Sequence, residues 1–173
     1  MVTTENDVSQ EGTESQVRPD EASVAAIAQL NSLIETCRDG QLGYSSAADA
    51  IINPELKALF VSVASQRSAF ISELQGQIRA LGGDPSKSGT LVGAVHRGWI
   101  ALKSAVASRN DDSILEECER GDNIAIETYN NVLSKSLPAA AREIVQRQLG
   151  SIEQSYHKVQ QMTVAPKGQP DAV

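Results

Sequence analysis

Aromatic residues and cysteines are scarce in this chain of 173 residues, and long apolar runs are missing. Aromatic side chains make up 3% of the sequence, which disfavours the strand-rich core of a β-sandwich or barrel. Cys37 and Cys118 are too few for a disulfide framework, so we expect two free, buried thiols in a reducing cytoplasm. No run approaches about 18 uninterrupted apolar residues, and the N-terminal segment has no apolar stretch. We therefore expect neither a transmembrane helix nor a secretory signal.

Basic charge is also in short supply, and the acidic excess is concentrated near the N-terminus. The net charge is −7, and residues 1–21 carry −5 of it, because this segment contains six acidic residues and a single basic one, Arg18. The rest of the chain, at −2, has no basic surface for nucleic acid or for an anionic membrane, so we expect neither as a partner. The segments 1–21 and 166–173 are polar, so we predict disordered tails on either side of a folded domain of residues 22–165.

Apolar residues recur at alternating steps of three and four along the rest of the chain, which is the spacing of one helix face. The spacing predicts a short helix over 89–107 and four long helices over 22–52, 54–81, 112–136 and 138–163. On the fourth long helix, the face passes through Val145, Leu149, Ile152, Tyr156 and Val159. Helix-breaking residues separate the segments: Asn53-Pro54, Gly82-Gly83, Asn110-Asp111-Asp112 and Leu137-Pro138. No segment shows the period-two alternation of a strand, so we predict an all-α fold.

The lengths of the connections predict how the four long helices are arranged. Short turns at 53–54 and 137–138 make helices one and two, and helices three and four, antiparallel neighbours. The connection from 82 to 111 is long enough to cross the whole bundle and contains the short extra helix. This is the arrangement of a ferritin-like four-helix bundle, in which one long crossover joins helices two and three.

Several segments of the sequence, taken in order, resemble a known family. They are LIETCRDGQLGY, NPELKALF, QRSAFISELQ, VHRGWIALKSAV and ILEECERGDNIAIETYNNVL. Over about residues 24–163 the chain is similar to a bacterial family of ferritin-like four-helix-bundle proteins of unknown function. The resemblance implies a ferritin-like bundle in a bacterial cytoplasm, and it implies no established activity.

Polar residues interrupt the apolar faces near the middle of the predicted bundle. Gln41, Arg67 and Asp122 lie on the apolar faces of the first three helices, each roughly 15–20 Å from the same end at 1.5 Å per residue. We predict a buried ion pair between Arg67 and Asp122, in which Gln41, Glu119 or Glu153 accepts the remaining hydrogen bonds of the guanidinium. The alternative is that Arg67 and Asp122 are solvated.

The same level of the bundle is where ferritin-like proteins hold two metal ions. Their ligands are one Glu from each of two helices and a Glu-x-x-His pair from each of the other two. Neither histidine completes such a pair, because the residues three positions before His96 and His157 are a glycine and a glutamine. Glu153 and His157 share a helix face at a spacing of four, which suits a surface pair. We therefore expect no cofactor; the alternative is iron, manganese or zinc held by Glu119, Glu153 and His157.

The remaining motifs leave several functions open. No catalytic triad and no nucleotide-binding motif is present. On the short helix, His96, Arg97 and Lys103 form either a binding surface or a solvated face. We predict a non-catalytic bundle that acts through assembly as a homo-oligomer or through a protein partner. The first alternative is a divergent metal-binding or redox protein using Glu119, Asp122, Glu153 and His157. The second is a small-molecule binder whose core has room beside Gly40, Gly43 and Gly121.

Overall fold

The computed structural model describes residues 20–85 and 110–164, and these residues form four long helices and no strand. The helices are α1 (Glu21–Ala50), α2 (Pro54–Ala80), α3 (Asp111–Leu133) and α4 (Ala139–Val164). The predicted all-α fold of four long helices is thereby confirmed. The predicted short helix over 89–107 lies outside the described residues, and so do the two predicted tails, apart from Asp20 and Glu21 at the start of α1. None of the four helices is long and apolar enough to cross a membrane.

Side chains of Asp and Asn begin three of the helices. The Asp20 carboxylate accepts a hydrogen bond from the Ser23 backbone N–H at 2.8 Å and caps α1. The Asn53 side chain caps α2 in the same way, and Pro54 follows it as the first helical residue. The Asn110 side chain caps α3. These caps satisfy N–H groups that have no partner within the helix, so the local sequence defines where each helix starts.

The C-terminal end of α2 is closed by two glycines. Gly82 has a φ of 76°, a left-handed conformation that glycine adopts without strain. The Gly83 N–H then donates to the Ile78 carbonyl at 2.9 Å, which completes the closing turn. A Cβ at Gly83 would lie 2.8 Å from both Ile27 Cδ1 and Ile78 Cγ2, so α1 and α2 pack tightly at this end.

The packing of the helices follows the ferritin-like arrangement. Helix α1 packs against α2 and α3, and α4 packs against the same two helices, so α2 and α3 face each other across a diagonal of the bundle. The Ile52 N–H, in the turn before α2, donates to the Asp111 carboxylate at the start of α3 at 3.3 Å. Because α2 and α3 begin at the same end of the bundle, they run parallel. Each of them is antiparallel to its neighbours.

The core consists of two apolar clusters separated by polar side chains. One cluster contains the first half of α1, the second halves of α2 and α3, and the first half of α4; its largest members include Leu30, Phe70, Leu74, Tyr129 and Ile152. The other surrounds the opposite ends of the helices and includes Tyr44, Ile51, Phe60, Ile114 and Val159. Arg67 and Asp122, both buried, belong to neither cluster. The bundle is therefore divided by a polar layer near its middle.

Candidate functional site

Arg67 and Asp122 meet in the centre of the bundle from the two diagonal helices. The Arg67 side chain is 1% exposed and that of Asp122 is 3% exposed, and Arg67 Nη2 lies 3.0 Å from Asp122 Oδ1. Their positions on the apolar faces of α2 and α3 bring them inward, and the parallel run of these helices brings them to one depth. The result is a charge-assisted hydrogen bond that is almost completely shielded from water.

The other two helices complete this layer with hydroxyl groups. The Tyr44 hydroxyl of α1 donates to Asp122 Oδ2 at 2.6 Å. Arg67 Nη2 also donates to Ser155 Oγ of α4 at 3.2 Å, while Ser155 itself donates to the Ile152 carbonyl at 2.8 Å. We call Tyr44, Arg67, Asp122 and Ser155 the central polar layer. Each helix contributes one member, and both carboxylate oxygens of Asp122 are hydrogen-bonded.

Neighbouring residues position the Arg67 side chain. A Cβ at Gly40 of α1 would lie 3.4 Å from Arg67 Cγ, so the missing side chain of Gly40 leaves space for the stem of the arginine. The guanidinium carbon lies 5.7 Å from the centre of the Phe70 ring. Arg67 Nη1 donates to the Gln66 side chain at 2.5 Å. The room predicted beside Gly40 is therefore occupied by Arg67.

A second set of polar side chains lies six or seven residues from the central polar layer on each helix, earlier in the chain on α1 and α4 and later on α2 and α3. The Cys37 thiol and the Tyr129 hydroxyl are 3.1 Å apart, and Tyr129 donates to Gln148 Oε1 at 2.8 Å. Gln148 Nε2 in turn donates to Glu73 Oε2 at 2.7 Å. Glu73 also pairs with Arg147 at 3.0 Å at the edge of the bundle. We call Cys37, Glu73, Tyr129 and Gln148 the second polar layer, and it again includes one residue from each helix.

Burial raises the pKa of most titratable groups in these two layers. It raises the pKa of the Asp122 carboxyl above its ordinary 3.8, although Arg67 and the Tyr44 hydroxyl act in the opposite direction. Burial also raises the pKa of Tyr44, and the neighbouring Asp122 carboxylate adds to that effect. The pKa of the Cys37 thiol is raised for the same main reason. A thiol that holds its proton more firmly than usual is not an activated nucleophile.

The predicted acceptors of the guanidinium are not the ones that the structure places there. Gln41 is half-buried and makes no hydrogen bond to Arg67 or Asp122, and Glu153 is exposed. Glu119 is half-buried. The predicted apolar face of α4 is corrected: between residues 145 and 159 the buried residues are Val145, Gln148, Ile152, Ser155 and Val159, whereas Leu149 and Tyr156 are half-buried. Both sets alternate steps of three and four, and the one that supplies polar partners faces the core.

The candidate metal ligands are not assembled in the described part of the chain. Glu153 and His157 are exposed on α4, whereas Glu119 is half-buried on α3. Within residues 20–85 and 110–164, no three side chains of His, Cys, Asp or Glu form a group that could hold a metal ion. The candidate surface residues His96, Arg97 and Lys103 lie outside the described residues.

The residues of the central polar layer do not fit a di-metal centre. Such a centre in a ferritin-like bundle uses four Glu and two His side chains that point inward from the four helices. The central polar layer offers one carboxylate, two hydroxyls and the Arg67 guanidinium, which is a permanent cation with no acceptor atom. These groups match one another instead, because the guanidinium neutralises the carboxylate, the Tyr44 hydroxyl donates to the carboxylate, and the Ser155 hydroxyl accepts from the guanidinium.

Comparisons with known proteins agree with this fold. The model of a family described as a domain of unknown function (DUF2383) matches residues 25–135. The chain is also similar to the crystal structure of a two-domain protein from Anabaena variabilis that contains DJ-1/ThiJ/PfpI-like and ferritin-like domains, with a TM-score of 0.70 and 16% identity. That match covers 87% of this chain and 43% of the other, so this chain spans less than half of the two-domain protein. No curated protein matched the chain.

Proposed function

This chain belongs to the family of the domain of unknown function DUF2383, and we propose that it is a non-catalytic ferritin-like bundle that acts through assembly or through binding a protein partner. The observation that carries the proposal is the buried Arg67–Asp122 pair at the centre of the bundle. In this proposal, the Arg/carboxylate network takes the place of a di-metal centre.

The charge of Arg67 is the physical reason for this choice. A guanidinium in a water-excluded centre repels a divalent cation at the same level of the bundle, because the interior screens charges weakly. Its five N–H donors also compete with a metal ion for the Asp122 carboxylate, and one of them already bonds it at 3.0 Å. In this proposal the buried charges compensate each other without a metal, and the function lies on the outer surface of the bundle.

Two observations support a role for that surface. Among the described residues, five large apolar side chains are at least half exposed: Val24, Leu42, Ile52, Val61 and Ile124. Covering them in an oligomer or a complex would contribute about 25 cal/mol per Å² of buried apolar area. The Anabaena protein joins a ferritin-like domain to a DJ-1/ThiJ/PfpI-like domain in one chain, which supports a second protein domain as the kind of partner that such a bundle binds.

Metal titration of the purified protein tests the central part of the proposal. Thermal unfolding is followed with and without Fe²⁺, Mn²⁺ or Zn²⁺, since a metal at about 100 times its dissociation constant would add about 2.7 kcal/mol of stability. We expect no shift of the unfolding midpoint. A stoichiometric metal that raises the midpoint, and that is lost in Glu153→Gln/His157→Ala, would instead support the divergent metal-binding protein.

Sedimentation velocity tests the assembly part. The protein is measured over a wide concentration range, and a mass above that of one chain supports self-assembly. If only one chain is found, assembly is rejected and a protein partner is the remaining form of the proposal. A matched variant, Leu42→Ser/Val61→Ser, removes two exposed apolar side chains and leaves the polar layers intact. We expect it to weaken any association.

A further inference from the structure

The bundle is built from two helical hairpins, and the charges of the central polar layer are divided between them. Hairpin 1 consists of α1 and α2, and hairpin 2 consists of α3 and α4. Hairpin 1 carries Arg67 and Tyr44, while hairpin 2 carries Asp122 and Ser155. All three hydrogen bonds within the layer cross from one hairpin to the other. Neither hairpin alone contains both the cation and its carboxylate.

The apolar faces of the hairpins, unlike the charges of the central polar layer, do not discriminate between one partner hairpin and another. Each hairpin presents a seam of buried apolar residues, which could pack against another copy of itself as well as against the other hairpin. Pairing two copies of hairpin 1 would place two Arg67 guanidiniums in one buried centre. Pairing two copies of hairpin 2 would place two Asp122 carboxylates there. Only the pairing of hairpin 1 with hairpin 2 brings opposite charges together.

The layer also discriminates between alignments of the two hairpins. A shift of hairpin 2 by seven residues keeps the helical spacing of the apolar seam. In one direction it brings Tyr129 and Gln148 to the level of Arg67, and in the other it brings Leu115 and Met162. No carboxylate faces Arg67 in either case, so the guanidinium would be buried without its counter-charge. The observed alignment is the one that satisfies the charges.

We propose that the central polar layer determines how the hairpins pair: its Arg67–Asp122 ion pair favours hairpin 1 with hairpin 2 and fixes one alignment between them. This role goes beyond the proposed function, because it holds whatever the surface of the bundle binds. Buried polar residues are known to fix the alignment and the number of helices in coiled coils at some cost in stability. Here the pairing is determined by opposite charges on two hairpins of one chain, Arg67 on hairpin 1 and Asp122 on hairpin 2.

The test uses the full-length chain with the layer replaced by apolar residues. Arg67→Met/Asp122→Leu is refolded from urea and compared with the wild type by circular dichroism, sedimentation velocity and the number of backbone amide peaks in a ¹H–¹⁵N spectrum. We expect the helical signal to be retained, but the single species of the wild type to become several. Each minor species should exceed about 10% of the population, because nothing charged then opposes the other pairings.

A matched control separates the layer from ion pairs in general. Arg147 and Glu73 also join the two hairpins, but at the surface, where their side chains are 54% and 36% exposed. The control Arg147→Met removes this surface pair and leaves the hydrogen bond from the buried Gln148 to Glu73 in place, so it should keep a single species. The proposal is overturned if the central double variant also keeps the mass and the single set of peaks of the wild type. Loss of its helical signal overturns it as well, since the layer would then supply stability rather than selection.

Discussion

At the scale of single residues, the Arg67–Asp122 pair is the feature of the core that is most sensitive to mutation. Removing either partner leaves the other as an uncompensated buried charge, so Arg67→Met or Asp122→Leu should each lower the free energy of unfolding by about 3–5 kcal/mol. Replacing both leaves no buried charge, so the double variant should recover much of the loss as an average over the species that it populates. Urea unfolding of the four proteins measures this coupling.

An exposed pair provides the control for this cycle. Arg120 and Glu117 lie three residues apart on α3, and the arginine side chain is 46% exposed. Such pairs are screened by water, so Arg120→Met with Glu117→Gln should change stability by about 1 kcal/mol or less. If the losses of the two central single variants simply add in the double variant, the two side chains do not stabilise each other and the interpretation of the centre is wrong.

The sequence was sufficient to locate two members of the central polar layer and insufficient for the other two. Arg67 and Asp122 stand out because each is a charged residue at an apolar position of the helical spacing. Tyr44 is indistinguishable from an ordinary core residue, because the spacing does not show where its hydroxyl points. Ser155 lies beside Tyr156, and the spacing of α4 alone predicts the larger Tyr156 side chain in the core. The Ser155 hydroxyl accepts from Arg67 of another helix, and the spacing within α4 does not encode that contact.

At the scale of helices and turns, a glycine inside α2 and a glycine of the turn that closes α2 respond to substitution in opposite ways. A Cβ at Gly76 would meet no atom within 4 Å, so Gly76→Ala should stabilise the helix by about 1 kcal/mol. A Cβ at Gly83 would lie 2.8 Å from Ile27 and Ile78, so Gly83→Ala should destabilise the protein by about 1–3 kcal/mol.

Thermal unfolding of the two glycine variants measures the contrast. The same substitution at Gly121 on α3, where a Cβ would also meet no atom within 4 Å, serves as a second open position. Its variant should behave like that of Gly76. Stabilisation of the protein by Gly83→Ala would contradict the tight packing of α1 against the closing turn of α2.

Helix boundaries were predictable because they depend on local chemistry. Asp20, Asn53 and Asn110 satisfy backbone N–H groups at helix starts, and Gly82 provides the left-handed residue that ends α2. The turn between α3 and α4 depends on a longer contact, in which Arg142 donates to the carbonyls of Leu133 and Lys135, both at 2.8 Å. Nothing in the local spacing marks that contact, and α3 accordingly ends three residues before the predicted 136.

At the scale of the whole molecule, the buried tyrosine hydroxyls and cysteine thiols should make the stability of the protein fall as the pH becomes alkaline. Burial is the main cause that raises the pKa of Tyr44 and Tyr129 above the ordinary 10.0, and the pKa of Cys37 and Cys118 above the ordinary 9.0. Below about pH 9 both the folded and the unfolded chain hold these protons. Above it, the unfolded chain releases them first, so the free energy of unfolding falls as pH rises.

The slope of this fall is the quantity to measure. Each group that ionises only in the unfolded chain lowers the free energy of unfolding by about 1.4 kcal/mol per pH unit, so urea midpoints should decline steeply between about pH 9 and pH 11. Tyr129→Phe removes one titrating group, so its free energy of unfolding should fall less steeply with pH, by about 1.4 kcal/mol per pH unit. The variant also loses the hydrogen bond to Gln148, so it should be less stable than the wild type near neutral pH. Ser155→Ala also removes a buried hydroxyl, but one that does not titrate in this range, so its slope should equal that of the wild type. A midpoint that stays level up to about pH 11 would mean that the hydroxyls and thiols are open to water, contrary to their burial between the two hairpins.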